Sequence, residues 1–373
     1  MIVSIIGWYG TETLGDRAIL DGILSVLAEL NQTCKVQIGS LFKFYSQRTL
    51  LEEKNIFGET APSIEIELFD IKDKEEREYY IKKSELVIVG GGPLMDLEEL
   101  FLIKKSFCLA KNLDIPTVIM GCGVGPLNNK EYISVVKAIL EMSSKISFRD
   151  SISLTKAEGL YEKELDAVCL GDPAIISIEN YKRTNTVEKE DYIVVNFREY
   201  PQLDYGGLSA YTLSDMRDIL KELEQWQKEI ILVPMHTFGI GGDDRFFLSK
   251  VVYNQHYGNV RVVHKPMNLK ELYSIYAKAI GCVGMRYHSV VMQTILNGNN
   301  LIINYTDPTT GKIRGFISDI DKRGFYDKRM IDIQKEGCCR IVDFVNLLKG
   351  QDKFVYKCTS VKKDYVDFLK EYF

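Results

Sequence analysis

Histidine is scarce in this chain, four residues in 373, and none of the eight cysteines forms a Cys-x-x-Cys pair or stands at ligand spacing from a histidine. A zinc site therefore has no support, and no metal is expected. The cysteines, at 34, 108, 122, 169, 282, 338, 339 and 358, fall in several cases inside apolar strand-like runs, where a free thiol behaves as a small hydrophobe. They predict a reducing cytoplasm. Excess positive charge is missing too: 47 Lys and Arg against 52 Asp and Glu give a net charge of -5. Binding to nucleic acid needs a dense basic face, so that class of partner is excluded. No segment approaches the roughly 20 apolar residues of a membrane span. The N-terminal Met1-Ile2-Val3-Ser4-Ile5-Ile6-Gly7 lacks the basic stretch of a signal peptide and reads as a first strand. Neither a Gly-x-Gly-x-x-Gly fingerprint nor a P-loop follows it, which disfavours a nicotinamide dehydrogenase. Low-complexity tracts and short-period repeats are absent as well.

What is present fits a globular α/β protein: 46% hydrophobic and 27% charged residues, on a chain longer than one core usually supports. Strand and helix patterns alternate throughout, the mark of parallel sheets. The first half predicts strands at 2–6, 35–40, 85–89, 117–120, 146–148 and 167–170. Helices are expected over 17–30, 97–112, 130–143 and 151–158. The charged run 72–77 reads as a solvated helix face. A polar stretch over 181–191 reads as a linker. The second half predicts strands at 192–197, 230–234, 260–263, 279–283 and 301–304, with helices over 213–227, 245–256, 269–278 and 288–296. The expectation is two Rossmann-like domains with parallel sheets facing a cleft, 1–180 and 181–373. The second would carry the amphipathic C-terminal helix marked by Val361, Tyr365, Phe368, Leu369 and Tyr372.

In open α/β sheets ligands bind beyond the carboxyl ends of the strands. Four glycine-rich turns lie there in the first half: Gly7 to Asp16, Gly90-Gly91-Gly92-Pro93 with Asp96, Gly121 to Pro126, and Gly171-Asp172-Pro173. Each can equally be plain turn geometry. In the second half Arg198 follows a strand, His236 follows another, and Gly284-Met285-Arg286-Tyr287-His288 joins a strand to a helix. A helix start gathers free N–H groups and the positive end of the macrodipole. Arg286 adds a planar fork for carboxylate or phosphate, and His288 a group that moves protons near neutral pH. Arg198 could instead pair with a surface carboxylate, and His236 could cap a loop. His256 and His264 stand without such company.

Taken together, Gly7-x-x-Gly10 through Gly15-Asp16, Gly90-Gly91-Gly92, Gly121-x-Gly123-x-Gly125-Pro126, Phe148-Arg149-Asp150-x-x-Ser153, Asp172-Pro173 and Gly284 to His288 resemble the polysaccharide pyruvyl transferase family. The resemblance implies a GT-B-like architecture, phosphoenolpyruvate as donor and a saccharide acceptor that receives a pyruvate ketal, in cell-surface polysaccharide biosynthesis. It implies a donor site made by Arg286 and His288, with Arg198, His236 and Ser289 as further candidates. Gly10, Asp16, Gly91, Gly92, Gly123, Arg149 and Asp172 become loop candidates on the acceptor side. The chain departs from the family pattern at Tyr287, where leucine is usual, and before Leu14-Gly15-Asp16, where asparagine is usual. Residues 304–312 only loosely resemble the family's Tyr-Asp-x-Lys segment.

The chemistry suits these residue types. Guanidinium forks bind the carboxylate and the phosphate of phosphoenolpyruvate, while His288 either protonates the enol carbon or meets the leaving phosphate. This needs no cofactor beyond phosphoenolpyruvate as co-substrate. Two other classes share the architecture: a glycosyltransferase using a nucleotide sugar, and a non-catalytic saccharide- or nucleotide-binding protein. Trp8, Tyr9, Tyr200, Tyr205 and Tyr211 are candidates for stacking on a sugar face. A lipid-linked saccharide would bring a cytoplasmic enzyme to the inner face of the membrane, though no basic amphipathic helix requires it. Nothing in the sequence sets the oligomeric state.

Overall fold

The computed structural model describes the chain except residues 12, 32, 162–163, 201–212, 238–241, 334–340, 351 and 358–359. Tyr205 and Tyr211 therefore lie outside the described residues. The chain forms two compact units: residues 1–12, 16–177 and 358–373, and residues 13–15 and 178–357.

The first unit is built from β1 (Ile2–Ile6), α1 (Leu14–Leu30), β2 (Lys35–Ser40), α2 (Lys43–Glu52), α3 (Lys54–Thr60), β3 (Glu65–Asp70), α4 (Lys74–Lys83), β4 (Leu86–Gly90), β5 (Pro93–Leu94), α5 (Leu100–Asn112), β6 (Thr117–Val124), α6 (Lys130–Met142), β7 (Lys145–Phe148), α7 (Ser151–Leu160), β8 (Ala167–Cys169) and the start of α8 (Ala174–Thr184). Its strands pair in parallel in the order β3-β2-β1-β4-β6-β7-β8, with β5 beside β6. Central strands such as Leu86-Val87-Ile88-Val89 are buried on both faces, which is why they read as continuous apolar runs. Each such side chain contributes about 1.5–3 kcal/mol on burial. Helix starts are set locally: Asp150 accepts from the Ser153 N–H at 2.7 Å and opens α7.

The second unit repeats the plan with β9 (Tyr192–Val195), α9 (Leu213–Glu224), β10 (Glu229–Leu232), α10 (Asp244–Val252), β11 (Val260–Val262), α11 (Leu269–Lys278), β12 (Gly281–Gly284), α12 (Tyr287–Leu296), β13 (Asn300–Asn304), α13 (Lys312–Ile320), β14 (Met330–Asp332) and α14 (Ile341–Asn346). The parallel order is β11-β10-β9-β12-β13-β14. Both sheets thus start in the middle, grow to one side and then cross to the other, as doubly wound folds do. The reversal falls between β1 and β4 in one unit and between β9 and β12 in the other.

Four expectations need correction. The terminal helix α15 (Val361–Leu369) belongs to the first unit: the Tyr365 hydroxyl donates to the Gly171 carbonyl at 2.6 Å, and Lys145 donates to Phe368 O at 2.9 Å. The boundary lies between Ser177 and Ile178, inside α8, which runs through the start of the expected linker. β6 continues to Val124, so Gly121 and Gly123 are strand residues and not a turn. Arg77 is buried and donates to Ile71 O at 2.7 Å, so the charged run is not wholly solvated. Cys34, Cys122 and Cys282 are buried as expected, and burial pushes the Cys122 and Cys282 thiols up to about 12; Cys108 and Cys169 are exposed. Among the described residues, no helix is long and apolar enough to cross a membrane.

Candidate functional site

The second unit's crevice begins with Asn196, the residue after β9. Its side chain is fully buried and ties three strand ends together: Nδ2 donates to Val233 O at 2.9 Å, while Oδ1 accepts the Arg286 N–H at 2.9 Å. That last bond spans the point where the strand order reverses. Arg286 is therefore held at the N-cap of α12, in extended backbone, before its side chain is considered.

The Arg286 guanidinium is bidentate on Asp244, the first residue of α10, through Nε at 2.7 and 2.9 Å and Nη2 at 2.6 Å. Asp244 is buried, and its Oδ2 also accepts the N–H groups of Met235 and His236 at 3.0 and 3.1 Å. The fork expected to meet an anion is thus oriented by a carboxylate that no sequence motif marks. Charge-assisted pairs of this geometry are strong and directional.

Arg198 extends from β9 toward the same rim. Its N–H meets Met285 Sδ at 3.4 Å, its Nε donates to Glu199 O at 3.0 Å, and its guanidinium carbon lies 4.8 Å from the centre of the Tyr305 ring. Lys312 Nζ is 5.5 Å from that centre. Lys312 is also the first residue of α13, behind Gly311 as N-cap. A cation at a helix start works against the macrodipole by roughly 0.3–1 kcal/mol, so local helix stability does not account for it. Arg198, Arg286 and Lys312 are brought to Tyr305 from three places: the end of β9, the N-cap of α12 and the first turn of α13. Tyr305 and Lys312 were legible only as a loose family segment.

His288 stands in the first turn of α12, half-buried. Its ring packs on the backbone of Gly15: a Cβ built there would overlap Nδ1 and the two neighbouring ring carbons. Thr13 to Gly15 reach this position because Leu14 N donates to Met235 O at 3.1 Å and Thr13 bridges His236. His236 is itself buried, and its backbone is engaged at both ends by Asp244. Ser289 does not present its hydroxyl to a ligand: it is fully buried, 2.8 Å from both the Tyr276 hydroxyl and Gln293 Nε2.

The first unit's candidates look different. Gly10 and Gly91 take up left-handed conformations after β1 and β4. Gly92, at φ +68°, leaves room for the Trp8 indole, which a Cβ would overlap. Trp8 donates to Pro93 O at 3.2 Å and Tyr9 to Gly90 O at 2.7 Å, and both are buried, so these two aromatics are scaffold and not sugar platforms. Tyr200, which belongs to the second unit, is half-buried. Gly123 packs on the Arg149 guanidinium. Arg149 and Asp172 are buried, with Arg149 3.5 Å from Asp150 and 3.8 Å from Asp172, so they brace the loops from inside. Asp16 lies in the first turn of α1, half-buried; burial, and next Asp16, raise the Tyr9 phenol.

A family model described as polysaccharide pyruvyl transferase matches residues 14–308, most of the chain. The chain belongs to the polysaccharide pyruvyl transferase family. No curated protein matches it in sequence. Among solved structures it is similar to UDP-GlcNAc 2-epimerases. One, from Methanocaldococcus jannaschii in complex with UDP-GlcNAc and UDP, has 14% identity and a TM-score of 0.62, with 100% of both chains covered. Another, from Neisseria meningitidis and bound to UDP-GlcNAc, has 13% identity and a TM-score of 0.61, with 99% of both chains covered. A third, from Rickettsia bellii, has 13% identity and a TM-score of 0.59, covering 100% of this chain and 96% of the other. At such identities the likeness shows the fold: two parallel-sheet α/β domains of the GT-B class.

Within the polysaccharide pyruvyl transferase family, the chain carries its departures from the family pattern at packed positions. Tyr287 is buried, edge-on to His288 with centroids 4.9 Å apart and to Phe316 at 6.3 Å. An aromatic in place of leucine thus buttresses the imidazole from below. Thr13, in place of asparagine, meets His236 through its backbone.

Proposed function

We propose that this polysaccharide pyruvyl transferase takes phosphoenolpyruvate as donor at the β9/β12 crevice and transfers its pyruvyl group to a saccharide as a ketal. The observation that carries this reading is the convergence of Arg198, Arg286 and Lys312 on one spot at the carboxyl edge of the sheet. A donor bearing both carboxylate and phosphate needs at least two anion anchors, and guanidinium and ammonium groups supply them.

In the proposed reaction the enol methylene of phosphoenolpyruvate is protonated to a methyl group, and a sugar hydroxyl adds to the neighbouring carbon. The C–O bond to phosphate breaks, and a second hydroxyl adds to the same carbon. Of the two hydroxyl protons, one balances the new methyl hydrogen and the other leaves with phosphate. His288, held by Gly15 and Tyr287, is assigned the acid that protonates the methylene. Arg198 and Lys312 hold the donor's anionic groups, and Asp244 fixes the angle of Arg286. The scheme uses no cofactor and no metal.

Positioned acid catalysis is worth about 10²- to 10⁴-fold, so His288→Ala should lose that much acceptor-dependent release of inorganic phosphate from phosphoenolpyruvate. Wild-type turnover in the variant would remove His288 from the mechanism. Release of a nucleotide from a nucleotide sugar, with none of phosphate from phosphoenolpyruvate, would favour a glycosyltransferase instead. Ligand-induced stabilisation without turnover against any acceptor would favour a binding protein.

A further inference from the structure

Tyr305 is 1% exposed, yet it is surrounded by charge rather than by hydrocarbon alone. Arg198 lies over its ring from the end of β9. Lys312 approaches from α13 and hydrogen-bonds its side chain. Arg286 bears on it from the start of α12, paired in turn with Asp244 of α10. The acids nearby in sequence or pairing are otherwise occupied: Asp307 accepts from Thr309 and Thr310, and Asp332 is held by Asn304 and Arg314. His288, on the first turn of α12, is a further titratable group of the site.

We propose that the Tyr305 hydroxyl is a proton-linked gate on anion binding: neutral, it leaves Arg198 and Lys312 to an incoming carboxylate or phosphate; ionised, it takes the place of that anion. Only the choice of phosphoenolpyruvate as the anion rests on the donor reading; the gate itself follows from the cluster. Burial alone would raise the phenol, but Lys312, Arg198 and Arg286 outweigh it and bring it down to about 8. As pH rises through that value the phenol loses its proton, a negative charge appears among the cations, and affinity for an anion falls by up to about tenfold per pH unit. By reciprocity a bound anion restores the proton, so binding above about pH 8 takes one up. Tyr305 acts here through its neighbours, as a positioning residue.

The test is calorimetric titration of phosphoenolpyruvate, and separately of inorganic phosphate, into wild type and Tyr305→Phe. It is run from about pH 6.5 to 9.5, across the phenol's titration, in buffers of differing ionisation heat. Wild type should weaken up to about tenfold per unit above pH 8 and take up close to one proton; Tyr305→Phe should hold its low-pH affinity and take up none. Every other group of the site is common to both proteins, so the difference between them isolates the phenol. The same slope and proton uptake in Tyr305→Phe would overturn the gate. Phosphate binding with this behaviour, but no phosphoenolpyruvate binding at any pH, would keep the gate and overturn the donor. As a check independent of binding, the ultraviolet absorbance of tyrosinate should show a titration near pH 8 that is missing from Tyr305→Phe. Absence of that titration from wild type also sinks the proposal.

Discussion

The two sheets reverse their strand order at equivalent places, and the two crevices this creates have been used in opposite ways. Between β1 and β4 the space is filled: Tyr9 reaches across to Gly90 O, Trp8 to Pro93 O, Gly92 admits the Trp8 ring, and Gly90 and Gly91 admit Ile23 and Ile19 of α1. Between β9 and β12 the corresponding residues are Asn196, Arg198 and Arg286, which are polar or charged, and the aromatic there, Tyr305, lies under cations. Topology supplies a crevice in each unit. The side chains just beyond the strand ends decide whether that crevice becomes core or a place for an anion.

The strongest way to break this contrast is to remove the charge that organises the second crevice. Arg286→Ala leaves Asp244 buried, with two backbone N–H groups and no cation, and should cost about 3–5 kcal/mol in denaturant unfolding. Adding Asp244→Asn to the same chain should recover much of that loss, since the pair and not the arginine alone sets the penalty. If the single variant unfolds like wild type, Arg286 is not anchored as described.

A smaller effect, aimed at activity, comes from Gly15→Ala. The added methyl overlaps the His288 ring and moves the imidazole. Misplacement by about 1 Å costs roughly 10²-fold in turnover. The corresponding change at Gly159, where nothing lies within 4 Å of the added atom, is the control and should leave turnover unchanged. Equal activity in both variants would separate His288 from the chemistry.

The strands around both crevices were legible because buried parallel strands announce themselves as apolar runs, and the Gly284 to His288 turn was legible as a helix start beside cations. The edge strand β3 was not, because Glu65-Ile66-Glu67-Leu68 alternates and is half-exposed. The end of β6 was misplaced because glycine signals a turn by its freedom, whereas Gly123 is needed for its smallness against Arg149. Asp244 lies 42 residues from Arg286, and no local pattern joins them. The terminal helix showed its apolar face clearly, but amphipathicity names a face and not the unit that covers it.

The finest test of the contrast lies in the filled crevice. Tyr9→Phe keeps the ring and removes only the hydroxyl that donates to Gly90 O. A buried carbonyl is then left without that donor, which should cost about 1 kcal/mol of stability, while phosphoenolpyruvate affinity, which the proposed donor site assigns to Arg198 and Lys312 in the other unit, should not change. Burial and the nearby Asp16 both raise the Tyr9 phenol, so it stays neutral where Tyr305 ionises, and the stability loss should be the same at pH 7 and pH 9. A loss that grows with pH, or a change in phosphoenolpyruvate affinity, would mean that the first crevice is not the inert core its packing describes.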